Sequence, residues 1–355
     1  MRFSLLHNYI RHKFIHDDAE WHPLAAVYYL TYRCEFRCSY CSDGNGVPYY
    51  RLTDKDVSAE HALAILKRIR RYSDILILTG GEPLLYPHIE QVLQYLPTLA
   101  FKDIVFTTNG FRMHEHLDAI AKAVTKLIVS IDTMDSTKAD ALTGMPKGTF
   151  QTVLTNFESA VKKTERKYDL CISSVAMPEN LEDLHDVYFF AEKNGCTLAV
   201  QPQLVGVKAH HALLDNIAYR NLYDFLIEKK LKGGKIYGRI RYLQYMRDIR
   251  QFSCSPFTML VVTPGGEVFY PCLEIGNKAG NILDYSSLHE LRKLGKKFFG
   301  PQPVCDNRCQ SACALGIFIS LHYPLSMMED VFLTVKGFVK RRCGIFPYRL
   351  HSCLV

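Results

Sequence analysis

The chain has 355 residues, which at roughly 100–200 residues per domain predicts two or three domains. Its 48% hydrophobic and 22% charged content is that of an average globular protein, which excludes a disordered chain and a core too small to stand without disulfides. Lys and Arg number 43 against 36 Asp and Glu, and the resulting +7 fits a nucleic-acid or membrane-surface partner without requiring one.

Arg2–His16 sets Leu6, Ile10 and Phe14 at helical spacing, with Arg11 and Lys13 between them. This predicts a basic amphipathic helix, compatible with lying on a membrane surface and more simply explained by packing on the body of the protein. Phe332–Arg342 has the same texture. The start lacks the apolar run and cleavage site of a secretory signal, and no stretch approaches the ~18 apolar residues of a membrane span. The expected location is cytoplasmic, with at most peripheral membrane contact.

From about residue 24 to about 205, short β-rich runs alternate with helical patterns. Strands are expected at Ala25–Thr31, Ile75–Thr79, Ile104–Thr108, Leu127–Ile131, Leu170–Ala176 and Thr197–Gln201. Helices are expected at His61–Arg70, His88–Leu96, His114–Ala123, Phe150–Lys163 and Leu184–Lys193. The alternation argues for parallel β/α units. With no Gly-rich dinucleotide fingerprint after the first strand, a partial (βα)6 barrel is favoured over a Rossmann sheet. In β/α barrels the chemistry sits on loops that follow strands. Cys34, Gly80, Asn109, Asp132 and Pro202 all fall at or just after an expected strand end.

Residues 206–251 look helical and charged, with a break at Gly233–Gly234. Beyond Cys254 the run Val261–Val262, Pro264–Gly265–Gly266, Val268–Tyr270 predicts a small hairpin. The fold class is therefore α/β. An N-terminal amphipathic segment (1–23) precedes a partial barrel (24–235), and a small cysteine-rich α+β domain (236–355) follows it.

The chain has 12 cysteines. In a chain with reduced thiols, clustered cysteines point to metal or redox chemistry. Cys171 and Cys196 stand singly in apolar runs and read as buried small hydrophobes. Cys34-Glu-Phe-Arg-Cys38-Ser-Tyr-Cys41 is different. Three thiolates on one short loop can hold three irons of a cubane and leave the fourth open. Zinc prefers four ligands in paired spacing, and no fourth Cys or His follows closely. Gly80-Gly81-Glu82-Pro83 follows the second strand: glycines let a backbone approach a ligand, and a carboxylate can bind an ammonium. Thr107-Thr108-Asn109-Gly110 follows the third strand, Ser130-Ile131-Asp132 the fourth and Gln201-Pro202-Gln203 the sixth. Each alone is readable as a plain turn or helix cap.

Together these elements resemble the radical S-adenosylmethionine superfamily, whose signature is this cysteine spacing with an aromatic before the third cysteine, here Tyr40. The resemblance covers residues 24–205. It implies that Cys34, Cys38 and Cys41 ligate a catalytic 4Fe–4S cluster, and that Tyr40, Gly80, Gly81, Glu82, Asn109, Ser130 and Asp132 bind S-adenosylmethionine. Adenine is implied near Gln201–Gln203. The implied reaction is one-electron cleavage of S-adenosylmethionine to a 5′-deoxyadenosyl radical, which abstracts a substrate hydrogen. The implied electron source is a low-potential flavodoxin- or ferredoxin-like donor.

Cys254, Cys272, Cys305, Cys309 and Cys313, with the Gly-Glu-Val-Phe-Tyr-Pro-Cys run, resemble the superfamily's twitch and SPASM extensions, which bind auxiliary 4Fe–4S clusters. The late spacing departs from that pattern: SPASM domains show C-x2-C-x5-C-x3-C, and this chain has Cys305-x3-Cys309-x3-Cys313. One auxiliary cluster is implied, on Cys254, Cys272 and two of the last three. A structural zinc site stays open, because four thiolates suffice for it. Cys343 and Cys353 read as spectators.

The function expected is radical oxidation or bond formation on a small molecule, lipid or peptide. Only about 23 residues precede the first strand, which counts against a leader-dependent peptide maturase. RNA modification, with steep salt dependence, ranks lower because no added RNA-binding domain is evident. The remaining alternative is a non-catalytic, zinc-stapled binding protein. No general base is identified.

Overall fold

The computed structural model describes residues 8–15, 21–42, 46–52, 55–301 and 309–323. Cys305, Cys343, Cys353 and the segment 332–342 lie outside the described residues.

Six parallel strands follow in chain order: β1 (Ala25–Tyr29), β2 (Ile75–Thr79), β3 (Asp103–Thr108), β4 (Lys126–Ser130), β5 (Asp169–Ala176) and β6 (Thr197–Pro202). Each pairs parallel with the next. Successive crossovers of one hand produce this unreversed order. All six match the expected strands to within two residues at either end. Their faces divide by alternation. In β2, Leu76 and Leu78 are fully buried in the main core with Ile65 and Val92, whereas Ile77 joins a second cluster with Val27, Tyr29 and Phe269.

The helices between strands form for local reasons. In the helix Ala59–Arg70, Ser58 caps the start by accepting the His61 N–H at 3.3 Å, and Ala62, Ile65, Leu66 and Ile69 are fully buried. That i, i+3, i+4, i+7 stripe contributes about 1.5–3 kcal/mol per large aliphatic residue. A helix at Ser136–Thr143 is not among the expected elements. Asp135 caps it by accepting from the N–H groups of Thr137 and Lys138, and Gly144, at φ 64°, ends it. Both are readable start and stop signals, but the helix is short and its apolar periodicity weak.

After β6 comes a two-strand hairpin of β7 (Leu204–Val205) and β8 (Lys208–Ala209), then helices Ile217–Leu231 and Ile240–Arg247. The hairpin expected around Pro264–Gly266 is present as β9 (Met259–Val262) and β10 (Glu267–Phe269), with Val268 opposite Val262. β9 pairs parallel with the free edge of β1, and β11 (Lys278–Asn281) follows β10. One nine-stranded sheet thus spans both sides of the expected boundary. Residues 8–15 form helical turns, held by Asn8 on Pro23 O at 2.8 Å and by Tyr9 on Ser320 O at 3.0 Å, while Ile10 and Phe14 stay exposed. Among the described residues, no helix is long and apolar enough to cross a membrane.

Candidate active site

The cysteine loop begins where β1 ends, and β2's exit turn fastens it. Gly81 N–H donates to Thr31 O at 2.8 Å, and Glu82 N–H donates to Arg33 O at 2.7 Å. The two glycines make this contact possible. A Cβ on Gly80 would lie 2.3 Å from Thr31 O, and one on Gly81 2.3 Å from Arg33 O and 2.6 Å from Tyr32 O. The close approach these glycines allow is therefore to the backbone that leads into Cys34. Further along, Arg37 N–H donates to Thr143 O at 2.7 Å, and the Arg37 guanidinium donates to the carbonyls of Phe36 and Cys34.

The loop faces a cavity of about 210 Å³ at the C-terminal ends of the strands. Cys34, Cys38, Tyr40, Cys41, Gly80, Gly81, Asn109, Ser130 and Asp132 all line it. Sequence reading missed its apolar wall, formed by Phe36, Leu142, Phe150 and Val153. Phe36 lies inside the cysteine motif and could have been found there; the others come from helix ends that only packing locates. Gln201, Pro202 and Gln203 are not part of the wall.

Glu82 is not part of it either. It is fully buried, and its carboxylate accepts from Leu84 N–H (3.0 Å), the Thr108 hydroxyl (2.9 Å) and Asn109 N–H (2.6 Å). These contacts tie the second exit turn to the third. Burial pushes its pKa up to about 7, against the pull of those three donors. The unfolded carboxyl, near 4.5, loses its proton first, so this group makes the metal-free chain less stable as pH rises from 4.5 to 7. Glu82→Gln is expected to remove that slope, which is on the order of 3 kcal/mol. Denaturant midpoints of both proteins at pH 5 and pH 8 check this; parallel changes in the two would contradict it.

Asp132 accepts from the Tyr40 hydroxyl and, at 2.8 Å, from Val175 N–H; burial pushes its pKa up to about 6. Asn109 accepts from Phe111 N–H at 2.9 Å, but its buried side-chain Nδ2 has no hydrogen-bond partner among the described residues. Desolvation raises all three loop thiols, the half-buried Cys38 to about 12 and Cys41, which still reaches solvent, to about 11. Holding them as thiolates requires a compensating cation. Among the described residues, no three His, Cys, Asp or Glu side chains converge as ligands of one metal ion. Cubane thiolates each take a different iron and need no such convergence. The residues present fit a cluster with a polar ligand beside it: three thiols on one wall, an orphaned amide donor on another, and an apolar flank.

Cys272 and Cys313 are free thiols. Burial first, then Glu274 and Cys254, raise Cys272 to about 12; burial, then Glu274, raise Cys313 to about 11. Glu274 thus acts electrostatically on both Cys272 and Cys313, and Cys254 on Cys272. Cys171 and Cys196 are buried, as expected. His210 and His211 stack at 4.5 Å, and His210 caps the short turn His211–Leu213.

Fold and site together define a β/α-barrel enzyme with a thiol-lined cavity at its strand ends. Residues 28–191 match the Radical SAM superfamily model. This stretch is similar to a superfamily of enzymes that use a 4Fe–4S cluster and S-adenosylmethionine. It is 25% identical over 284 residues to a probable GTP 3′,8-cyclase of Methanosarcina mazei, covering 75% of this chain and 82% of that one. Streptococcus suis SuiB bound to S-adenosylmethionine superposes with a TM-score of 0.58 at 18% identity, over 76% of this chain and 65% of that one. Histidine-tagged anSMEcpe with bound AdoMet gives 0.59 at 17% identity, over 91% and 98%. At these identities the two solved structures bear on the fold alone.

Proposed function

We propose that S-adenosylmethionine is reductively cleaved in the strand-end cavity, with Cys34, Cys38 and Cys41 holding the catalytic cluster. When bound, the cluster and S-adenosylmethionine would, with one electron from an external donor, supply a 5′-deoxyadenosyl radical able to take a hydrogen atom from a substrate. The observation that carries this reading is the meeting of the three thiols with the exit turns of β2, β3 and β4 around one cavity. Asn109, with its unpaired amide donor, suits a carboxylate oxygen of the cofactor. Ser130 and Asp132 offer polar contacts at the end of the neighbouring strand β4, and Asp132 fixes Tyr40 on the rim. Phe36, Leu142, Phe150 and Val153 keep water from the reacting carbon. Glu82 acts by positioning: its carboxylate holds the Thr108–Asn109 turn.

The substrate we propose is a small polar molecule, supported by the GTP 3′,8-cyclase name of the curated relatives. Radical oxidation or bond formation on it would be assisted by an auxiliary cluster near Cys254, Cys272 and Cys313, with a flavodoxin- or ferredoxin-like donor supplying the electron. The test is anaerobic. Reconstituted protein receives S-adenosylmethionine and dithionite, then polar-metabolite, peptide, lipid and RNA fractions separately, and 5′-deoxyadenosine is quantified. The polar fraction is expected to stimulate its release. Stimulation by only the peptide, lipid or RNA fraction would overturn the substrate class.

A further inference from the structure

The helix Leu288–Phe299 buries Leu288, Leu291 and Gly295 and turns Lys293, Lys296 and Lys297 to solvent. Ser287 caps its start by accepting from Glu290 N–H at 3.3 Å. At its other end Phe298 is 65% exposed, while Phe299 leans on Tyr270 with ring centroids 6.1 Å apart. The turns at 8–15 lie near this helix. Arg292 is close enough to His12 to disfavour a charge on it, and His12 Nε2 bonds His22 O at 2.6 Å. Trp21 meets the Phe257 ring edge-on at 5.2 Å, and the Arg292 guanidinium lies 4.1 Å from the centroid of that same ring. Ile10 and Phe14, one helical turn apart, are left 41% and 70% exposed.

Neither 8–15 nor 291–299 contains a carboxylate. Glu290, the one acidic residue of the helix, accepts from Ser286 N–H at 2.9 Å and from its hydroxyl at 2.7 Å. The face thus combines large apolar side chains with lysines, and such a combination marks an interaction surface. A second copy fits it poorly: a two-fold contact sets a patch against itself, and lysine would meet lysine. A nucleic acid would satisfy the lysines, but Ile10 offers no ring on which a base can stack. An anionic bilayer matches both parts. Its headgroups attract the lysines, and the boundary beneath them takes up phenylalanine and isoleucine.

We infer that this face docks on a membrane surface rich in anionic lipid, Lys293, Lys296 and Lys297 meeting the headgroups while Ile10, Phe14 and Phe298 enter the interface. The docking needs neither the cluster nor S-adenosylmethionine.

Co-flotation of the reconstituted full-length protein with vesicles tests this, comparing phosphatidylcholine alone with an equal mixture of phosphatidylcholine and phosphatidylglycerol. Binding to the mixed vesicles, absent from phosphatidylcholine and fading as salt is raised, is expected. The triple variant Lys293→Gln, Lys296→Gln, Lys297→Gln should bind at least about ten-fold more weakly, since each lysine at an anionic surface contributes about a factor of five. The double variant Phe14→Ser, Phe298→Ser keeps every charge and should also lose at least about ten-fold, because burying one phenylalanine is worth about that much. Lys147→Gln, Lys162→Gln, Lys193→Gln together remove the same charge from exposed positions elsewhere and should leave binding unchanged. No binding to the mixed vesicles, an equal loss in this control triple, or full binding by the double phenylalanine variant would each overturn the assignment. So would binding of single-stranded RNA, lost in the lysine variant, by a chain that ignores the vesicles.

Discussion

Gly81→Ala is expected to yield a chain that neither assembles the catalytic cluster nor cleaves S-adenosylmethionine, a loss of at least about 100-fold in rate, because displacements near 1 Å are that costly in active sites. The added Cβ would meet the carbonyl oxygens of Arg33 at 2.3 Å and Tyr32 at 2.6 Å. Both belong to backbone, so no side chain can swing aside, and the strand-end turn must move away from the segment that carries Cys34. That movement breaks the bonds from Gly81 to Thr31 and from Glu82 to Arg33, and it shifts the cavity wall. Gly265→Ala is the matched control: nothing lies within 4 Å of its Cβ position, so stability should stay within about 0.5 kcal/mol. Iron content, visible absorption and 5′-deoxyadenosine yield read both variants. A Gly81→Ala protein with full iron and ordinary turnover would contradict this account of the double glycine.

The second large effect concerns iron itself. Replacing Cys34, Cys38 and Cys41 together with alanine should remove all cleavage of S-adenosylmethionine yet leave about four irons per chain, the content of one cubane. On the reading proposed above, the remaining iron would be held by Cys254, Cys272 and two of Cys305, Cys309 and Cys313. Adding Cys254→Ala and Cys272→Ala to the triple variant should then bring iron to zero. Zinc in place of iron in the triple variant would make the second centre structural. A triple variant without metal would remove it.

The strands were legible because parallel strands buried on their outer face leave dense β-branched and leucine runs, such as Ile75–Thr79, between helical stretches of period 3.6. The cysteine loop was legible because its chemistry is written in contiguous residues. Four things were not. The partners of Gly80 and Gly81 come from the end of β1, about fifty residues earlier by chain but adjacent by pairing, and no local pattern names them. The carboxylate of Glu82 reads as a free charge at a strand end, and only packing shows it buried against Thr108 and Asn109. The hairpin at β9 and β10 was visible from its turn residues, but that β9 extends the sheet beside β1 is a tertiary outcome that period-2 alternation cannot specify. The apolar wall is a similar case: Leu142 and Phe150 are ordinary helix residues until the segment 136–150 is laid across the strand ends.

The measurement that bears most directly on the central reading is the release of 5′-deoxyadenosine by anaerobically reconstituted protein given S-adenosylmethionine and dithionite, with Cys38→Ala run alongside. Dithionite-dependent release by the unaltered chain and none by Cys38→Ala is the predicted result. Equal release by both, or none by a brown, iron-replete unaltered chain with any substrate fraction, would contradict the assignment of the thiol-lined cavity as the place where S-adenosylmethionine is cleaved.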